Sequence, residues 1–203
     1  MKSEITHGRI LKIALPMVVS NATIPILGAV DTGVIGQIGD QILLAAVGIG
    51  AITISTIYWV FGFLRMGTTG LVAQAKGAGD QSEVFSNLIR GILIGFIAGL
   101  ALILIQTPLF WIALNLFQAL PEVEFQAEKY LSIRIWSAPL SISNFALLGW
   151  LIALEKTYYV LFLQLLINIL NIILDIIFVL SLGWGIEGVA VASLIAELFG
   201  AFL

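Results

Sequence analysis

Six apolar stretches, cut apart by short polar connectors, leave this chain few ways to fold. They cover about residues 10–36, 42–72, 84–105, 125–154, 158–182 and 186–203. Crossing the hydrocarbon of a bilayer takes roughly 20 apolar residues in an α-helix. Lipid offers no hydrogen bonds, so each stretch must satisfy its backbone internally, and uninterrupted apolar runs do that as helices. The expected fold class is therefore all-α and integral to the membrane, with six transmembrane helices. Composition agrees: 60% of the 203 residues are hydrophobic and 10% charged, where a soluble domain carries about 25% charged residues. The connectors QIGDQ (37–41), KGAGDQSE (76–83), ALPEVE (119–124), EKT (155–157) and GWG (183–185) are too short to be domain linkers. The second stretch stays helix-compatible from Ile42 past Arg65 toward Lys76. That is longer than a bilayer requires, so it must tilt, bend near Gly67–Gly70 or emerge into water.

Several chemistries are excluded. There is no cysteine, which removes disulfides, zinc–thiolate sites and thiol catalysis. The lone histidine, His7, sits in the polar N-terminal tail and reads as solvated. GAGD (77–80) lacks the lysine and hydroxyl of a phosphate loop, so nothing points to ATP. No Ser-His-Asp set, H-E-x-x-H or basic patch occurs, so neither an enzyme, a bound metal nor a nucleic-acid partner is expected. The first apolar run is too long for the core of a cleaved signal. Cytoplasmic loops collect lysine and arginine. With the N-terminus inside, the inner side gathers Lys2, Arg9, Lys12, Lys76, Arg90 and Lys156, and the outer loops hold only Lys129. That orientation suits a bacterial-type inner membrane. Arg65 reads as a snorkelling residue near the inner interface, and Glu187 and Glu197 as boundary residues.

The fifth stretch contains QLLINILNIILD (164–175), where Gln164, Asn168, Asn171 and Asp175 recur at intervals of four, three and four. Those intervals put all four on one helical stripe. Polar groups at bilayer depth are expensive and face a protein interior or a water-filled cavity. Asp31 lies seven residues before Ile38, and Asp175 seven before Leu182, in helices that run the same way. The two carboxyls are thus expected at one depth, lining one cavity, able to take up a proton on one side and lose it on the other. A plain hydrogen bond to a neighbouring helix, or snorkelling toward the outer surface, is the alternative for each. Pro16 and Pro25 permit the first helix to kink. Asn144, Tyr130 fourteen positions before it, and Ser193 in the sixth stretch each suit an interhelical bond alone. Together with the stripe they outline a polar pocket.

LPMVVSNATIPILGAVDTGVIGQIG (15–39), FGFLRMGTTGLVAQAKGAGD (61–80) and WGIEGVAVASLIAE (184–197) resemble the first helix, the end of the second helix with its loop, and the sixth helix of the multidrug and toxic compound extrusion (MATE) transporters. The aspartate of the first helix and the Asn171–Asp175 pair resemble the DinF-type branch. The resemblance implies one six-helix lobe of a twelve-helix transporter that exports cationic or amphipathic compounds in exchange for protons or sodium. It implies coupling residues at Asp31, Asp175 and Asn171, and a pocket including Pro16, Tyr130, Asn144 and Ser193, the last where a threonine is expected. Gln164 and Asn168 have no counterpart in that pattern and are expected along the inner part of the path. The partners implied are small organic substrates, the bilayer, and either a missing C-terminal lobe or a second copy. The sixth stretch is still apolar at Leu203, which suggests the front part of a longer protein. Two other readings stand beside this one. A flippase for lipid-linked sugars should present more cationic residues than Arg65 and Arg134. A truncated remnant or structural membrane subunit would transport nothing.

Overall fold

The computed structural model describes residues 7–202 and, within them, every side chain except those at 9 and 24–27, so the side chains of Lys2, Arg9 and Pro25 lie outside the description. Every regular element among the described residues is helical. The first rod is α1 (His7–Gly36), which stays helical through Pro16. The second joins α2 (Gln41–Trp59) to α3 (Phe63–Ala78) through a 3₁₀ turn at Val60–Gly62. The third is α4 (Gln81–Leu104), followed by the short α5 (Gln106–Phe117) with Pro108 in its first turn. The fourth joins α6 (Pro121–Arg134) to α7 (Ala138–Ala153) through a 3₁₀ turn at Ile135–Ser137. The fifth is α8 (Thr157–Asp175), which widens into a π-turn over Ile176–Ser181. The sixth is α9 (Gly185–Ala201). Ile10–Gly36, Gln41–Ala78, Gln81–Leu104, Pro121–Ala153 and Thr157–Ser181 are long and apolar enough to cross a bilayer. The 17 residues of α9 pack into the same bundle.

Two connectors reuse one stop-and-start device. Gly39 and Gly79 both take φ +77°, the left-handed conformation that ends a helix without a Cβ clash. The aspartate that follows caps the next helix. Asp40 Oδ1 accepts from the Ile42 N–H at 2.8 Å, and Asp80 Oδ1 accepts from the Glu83 N–H at 3.0 Å.

The bend in the second rod falls at Val60–Gly62, earlier than the expected Gly67–Gly70. It lies beside the break in the fourth rod. Pro139 has no N–H to offer the Ile135 carbonyl, so the Ala138 N–H takes it in a tighter turn. That turn leaves the Arg134 carbonyl to side chains: Ser137 Oγ donates to it at 2.9 Å and the Tyr58 hydroxyl at 3.2 Å. Tyr58 and Ser137 oxygens also lie 3.1 Å apart. The breaks in the two rods are therefore stitched to each other.

The rods form two groups. In one, α4 packs along α7 and both contact α3. Gly91, Gly95 and Gly99 turn to Ala146, Ser143 and Pro139, and a Cβ at Gly95 would stand 2.7 Å from Ser143 Cα. In the other group α8 lies between α1 and α9. Contacts of α6 with α2 and α9, and of α1 with α2, close the bundle. Large apolar side chains such as Leu15, Val18, Trp59, Met66, Ile97, Leu104 and Phe162 remain exposed on its outside, as lipid-facing residues should.

The glycine seam makes a test of this packing. Gly95→Leu should lower the thermal midpoint in detergent, with overpacking costing about 1–3 kcal/mol. Gly67→Ala, where a Cβ meets nothing within 4 Å, should leave it unchanged or raise it.

Candidate functional site

Between the two groups of rods lies a cavity of about 320 Å³. Its charged lining is Asp31, Arg65, Arg134 and Glu197, with Asn144, Gln164, Tyr130 and Ser193 among its polar groups. Two clusters dominate, and α9 contributes to both.

The first cluster joins α1, α8 and α9. Asp31 lines the cavity but is only 4% exposed, while Asn171 and Asp175 behind it are fully buried. The Asn171 amide nitrogen turns toward the acids, since the opposite orientation would set its oxygen against two acceptors. It then donates to Asp31 Oδ1 and to Asp175 Oδ2, both at 3.2 Å. Its oxygen accepts from the Ser193 hydroxyl at 3.1 Å and from the Ser193 N–H at 3.2 Å. One amide thus ties three helices and holds two carboxyls together. Asp175 Oδ1 is buried and has no donor among the described residues. The chain departs from α-helix directly after Asp175: the Leu182 N–H donates to the Ile177 carbonyl at 2.9 Å, five residues back. Such π-turns often sit beside functional residues.

The second cluster lies one helical turn along α6 and α9. Arg134 Nη2 donates to Glu197 Oε1 at 2.7 Å, and Ser141 Oγ donates to Glu197 Oε2 at 2.7 Å. Arg134 is 7% exposed, and its Nε and Nη1 have no acceptor among the described residues. This pair corrects the expectation that Glu197 is a boundary residue. Arg134 stands 13 residues after the start of its rod at Pro121, and Glu197 stands 12 after Gly185. Both rods run the same way, so a comparison of depth, the reasoning that joins Asp31 with Asp175, reaches this pair too.

The remaining candidates divide. Tyr130, Asn144, Gln164 and Ser193 reach the cavity. Asn168 and Pro16 do not line it, and both are buried. Asn168 Nδ2 donates to the Thr23 carbonyl at 3.3 Å, and its oxygen accepts from Gln164 Nε2 at 3.2 Å. It lies behind the wall because a stripe four residues wide spans more of the helix than the cavity touches. Its bond fastens α8 to α1 two residues before Pro25, where the backbone of α1 lacks one N–H.

The MatE family model matches residues 16–177. The DNA damage-inducible protein F of Escherichia coli (strain K12) is 40% identical over 185 residues, which is 91% of this chain and 40% of that protein. A probable multidrug resistance protein NorM from Thermotoga maritima is 28% identical over 212 residues, 98% of this chain and 44% of that one. Among solved structures, the outward-facing conformation of a multidrug resistance MATE family transporter superposes with a TM-score of 0.87 at 21% identity, over 98% of this chain and 46% of that one. A MOP superfamily transporter from Pyrococcus furiosus gives 0.85 at 22% identity over the same shares. The chain thus spans less than half the length of the relatives it matches.

The ion pair predicts a sharp asymmetry. Arg134→Met should lower the thermal midpoint, because it strands the part-buried Glu197 carboxylate, at a cost below the roughly 3–5 kcal/mol of a fully buried pair. Adding Glu197→Met should recover most of that loss in a thermal melt. A double variant no more stable than the single one would mean that Glu197 is not the partner that matters.

Proposed function

The chain belongs to the MatE family of membrane transporters, and we propose that it forms one lobe of a secondary active exporter that exchanges cationic or amphipathic organic compounds for protons or sodium ions. The observation that carries the reading is Asn171 bridging Asp31 and Asp175. Two unit charges roughly 4 Å apart repel by about 4 kcal/mol at an effective dielectric of about 20. A proton or a small cation held between the carboxyls removes that repulsion. It would also give Asp175 Oδ1 the partner it lacks. Asp31 and Ser193 belong to this cluster and to the cavity wall at once. A substrate entering the cavity therefore meets the coupling site directly, and occupancy of one by a cation disfavours a cation at the other.

Movement follows from the same contacts. α1 carries Asp31 and Pro16 and packs on α8, which carries Asn171 and Asp175. Loading or unloading the carboxyls changes how tightly Asn171 draws α1 toward α8 and α9. Alternating access would then be a rocking of this lobe against a second lobe, or against a second copy, as in transporters built from repeats. Lys76 gathers with the α7–α8 connector, its Nζ donating to the Ala153 carbonyl at 3.4 Å and lying 3.9 Å from Glu155. With Lys156 and Arg90 this end carries the positive charge, and in our reading it faces the cytoplasm of a bacterial-type inner membrane.

The test is export of a cationic dye from vesicles containing the intact protein, under an imposed proton gradient and separately under a sodium gradient. Asp31→Asn and Asp175→Asn should each reduce gradient-driven export at least ~tenfold at unchanged membrane levels, since a neutral amide cannot exchange the ion. The gradient that drives the parent protein names the ion. Undiminished export by both variants would overturn the assignment.

A further inference from the structure

The bonds between helices sort the lobe into two bodies. In one, α3, α4 and α7 are fastened together. Thr69 Oγ1 donates to the Gly149 carbonyl at 3.1 Å, Ser143 Oγ to the Ile92 carbonyl at 3.0 Å and Lys76 Nζ to the Ala153 carbonyl at 3.4 Å. A Cβ at Gly91 would stand 2.7 Å from Ala146 Cβ, and one at Gly149 2.5 Å from the Arg65 oxygen. Helices packed that closely move as a unit rather than deform. In the other body Asn171 ties α1, α8 and α9, Asn168 ties α8 to α1, and Arg134 ties α6 to α9. α2 packs there too, on α6 and α1. The cavity lies between the bodies, lined by α7 and Arg65 on one side and by residues such as Met17, Asp31 and Gln164 on the other.

What joins the bodies runs along α7. Ser137 at its start meets the Tyr58 hydroxyl at 3.1 Å. Ser141, one turn later, donates to Glu197 at 2.7 Å. The connector 154–156 leads from its end into α8. At the far edge α3 continues into the other body through the 3₁₀ turn at Val60–Gly62, and α4 through the break at Ile105. A 3₁₀ stretch interrupts the α-helical ladder, so the segments on either side can change their angle with few bonds broken, and such stretches often mark hinges. We infer that α3, α4 and α7 form a door hinged along α7, whose free edge, α3, swings toward and away from α1 and sets the width of the cavity mouth. Met17, Ser20 and Asn21 of α1 and Arg65 of α3 line the cavity from the two sides of that mouth. α1 packs on α8 and α2, and α3 on α7 and α4, so each edge is anchored on its own side. This motion lies within the lobe. It is separate from any rocking of the lobe against a second one.

The chain has no cysteine, so spin-label pairs can be introduced without removing any. Lys12→Cys/Gln74→Cys reports from α1 to α3 across the mouth. Gln74→Cys/Ile89→Cys reports within the door, and Lys12→Cys/Phe162→Cys within the other body; all four positions are exposed. Distances are measured by double electron–electron resonance on the intact protein in lipid nanodiscs. The α1–α3 pair should show two populations at least ~5 Å apart, about one helical turn, while each control shows one. Tyr58→Phe/Ser141→Ala cuts two attachments along α7 and should shift the ratio of the two populations at least ~threefold, the scale of a lost hydrogen bond. A single α1–α3 population in the parent protein, or a ratio that the variant leaves unchanged, overturns the inference. So does a second population shared by the controls, which would mean that the whole lobe flexes. The readout uses no substrate, so a failed export assay leaves the door standing, and a rigid mouth leaves the exporter reading standing.

Discussion

Hydrocarbon supplies no hydrogen bonds, and that deficit arranges the polar side chains of this lobe. Those that sit at bilayer depth gather against one another between α1, α6, α8 and α9 instead of dispersing over the bundle. Even the backbone obeys it. The carbonyl released by the 3₁₀ turn at Ile135–Ser137 is claimed by Tyr58 and Ser137. Asn168 adds a bond to the Thr23 carbonyl of α1.

The two clusters share one support, α9, on which Ser193 and Glu197 stand one turn apart. Each cluster is also incomplete in its own sense, with an acid oxygen short of a donor at Asp175 and a guanidinium short of acceptors at Arg134. A displacement of α9 by the events at Ser193 is felt at Glu197 without any intermediary, because one rigid helix carries both.

Much of this was legible in the residues. The apolar stretches mark the rods, Gly39-Asp40 and Gly79-Asp80 mark two of the turns, and the matched depths of Asp31 and Asp175 bring them together. The Arg134–Glu197 pair is harder to read, because a charge near the end of an apolar run looks like a boundary. The turn at Val60–Gly62 leaves no local trace beyond Gly62. Polarity also says less about direction than about depth. Gln164 and Asn168 stand on one stripe, yet one faces the cavity and the other the backbone of α1.

The glycine seam has a consequence for how the chain is assembled. Synthesis proceeds from the N-terminus at about 5–20 residues per second, so α4 reaches the membrane while α7, more than 30 residues downstream, has yet to be made. The face that α4 reserves for α7 is built of Gly91, Gly95 and Gly99, which offer lipid no polar side chain while they wait. The stripe on α8 follows the opposite schedule. Asn168, Asn171 and Asp175 emerge only after α1 has already supplied the Thr23 carbonyl and Asp31. The polar side chains of α8 thus meet partners on α1 that are already made, while Asp31 waits longest for its own.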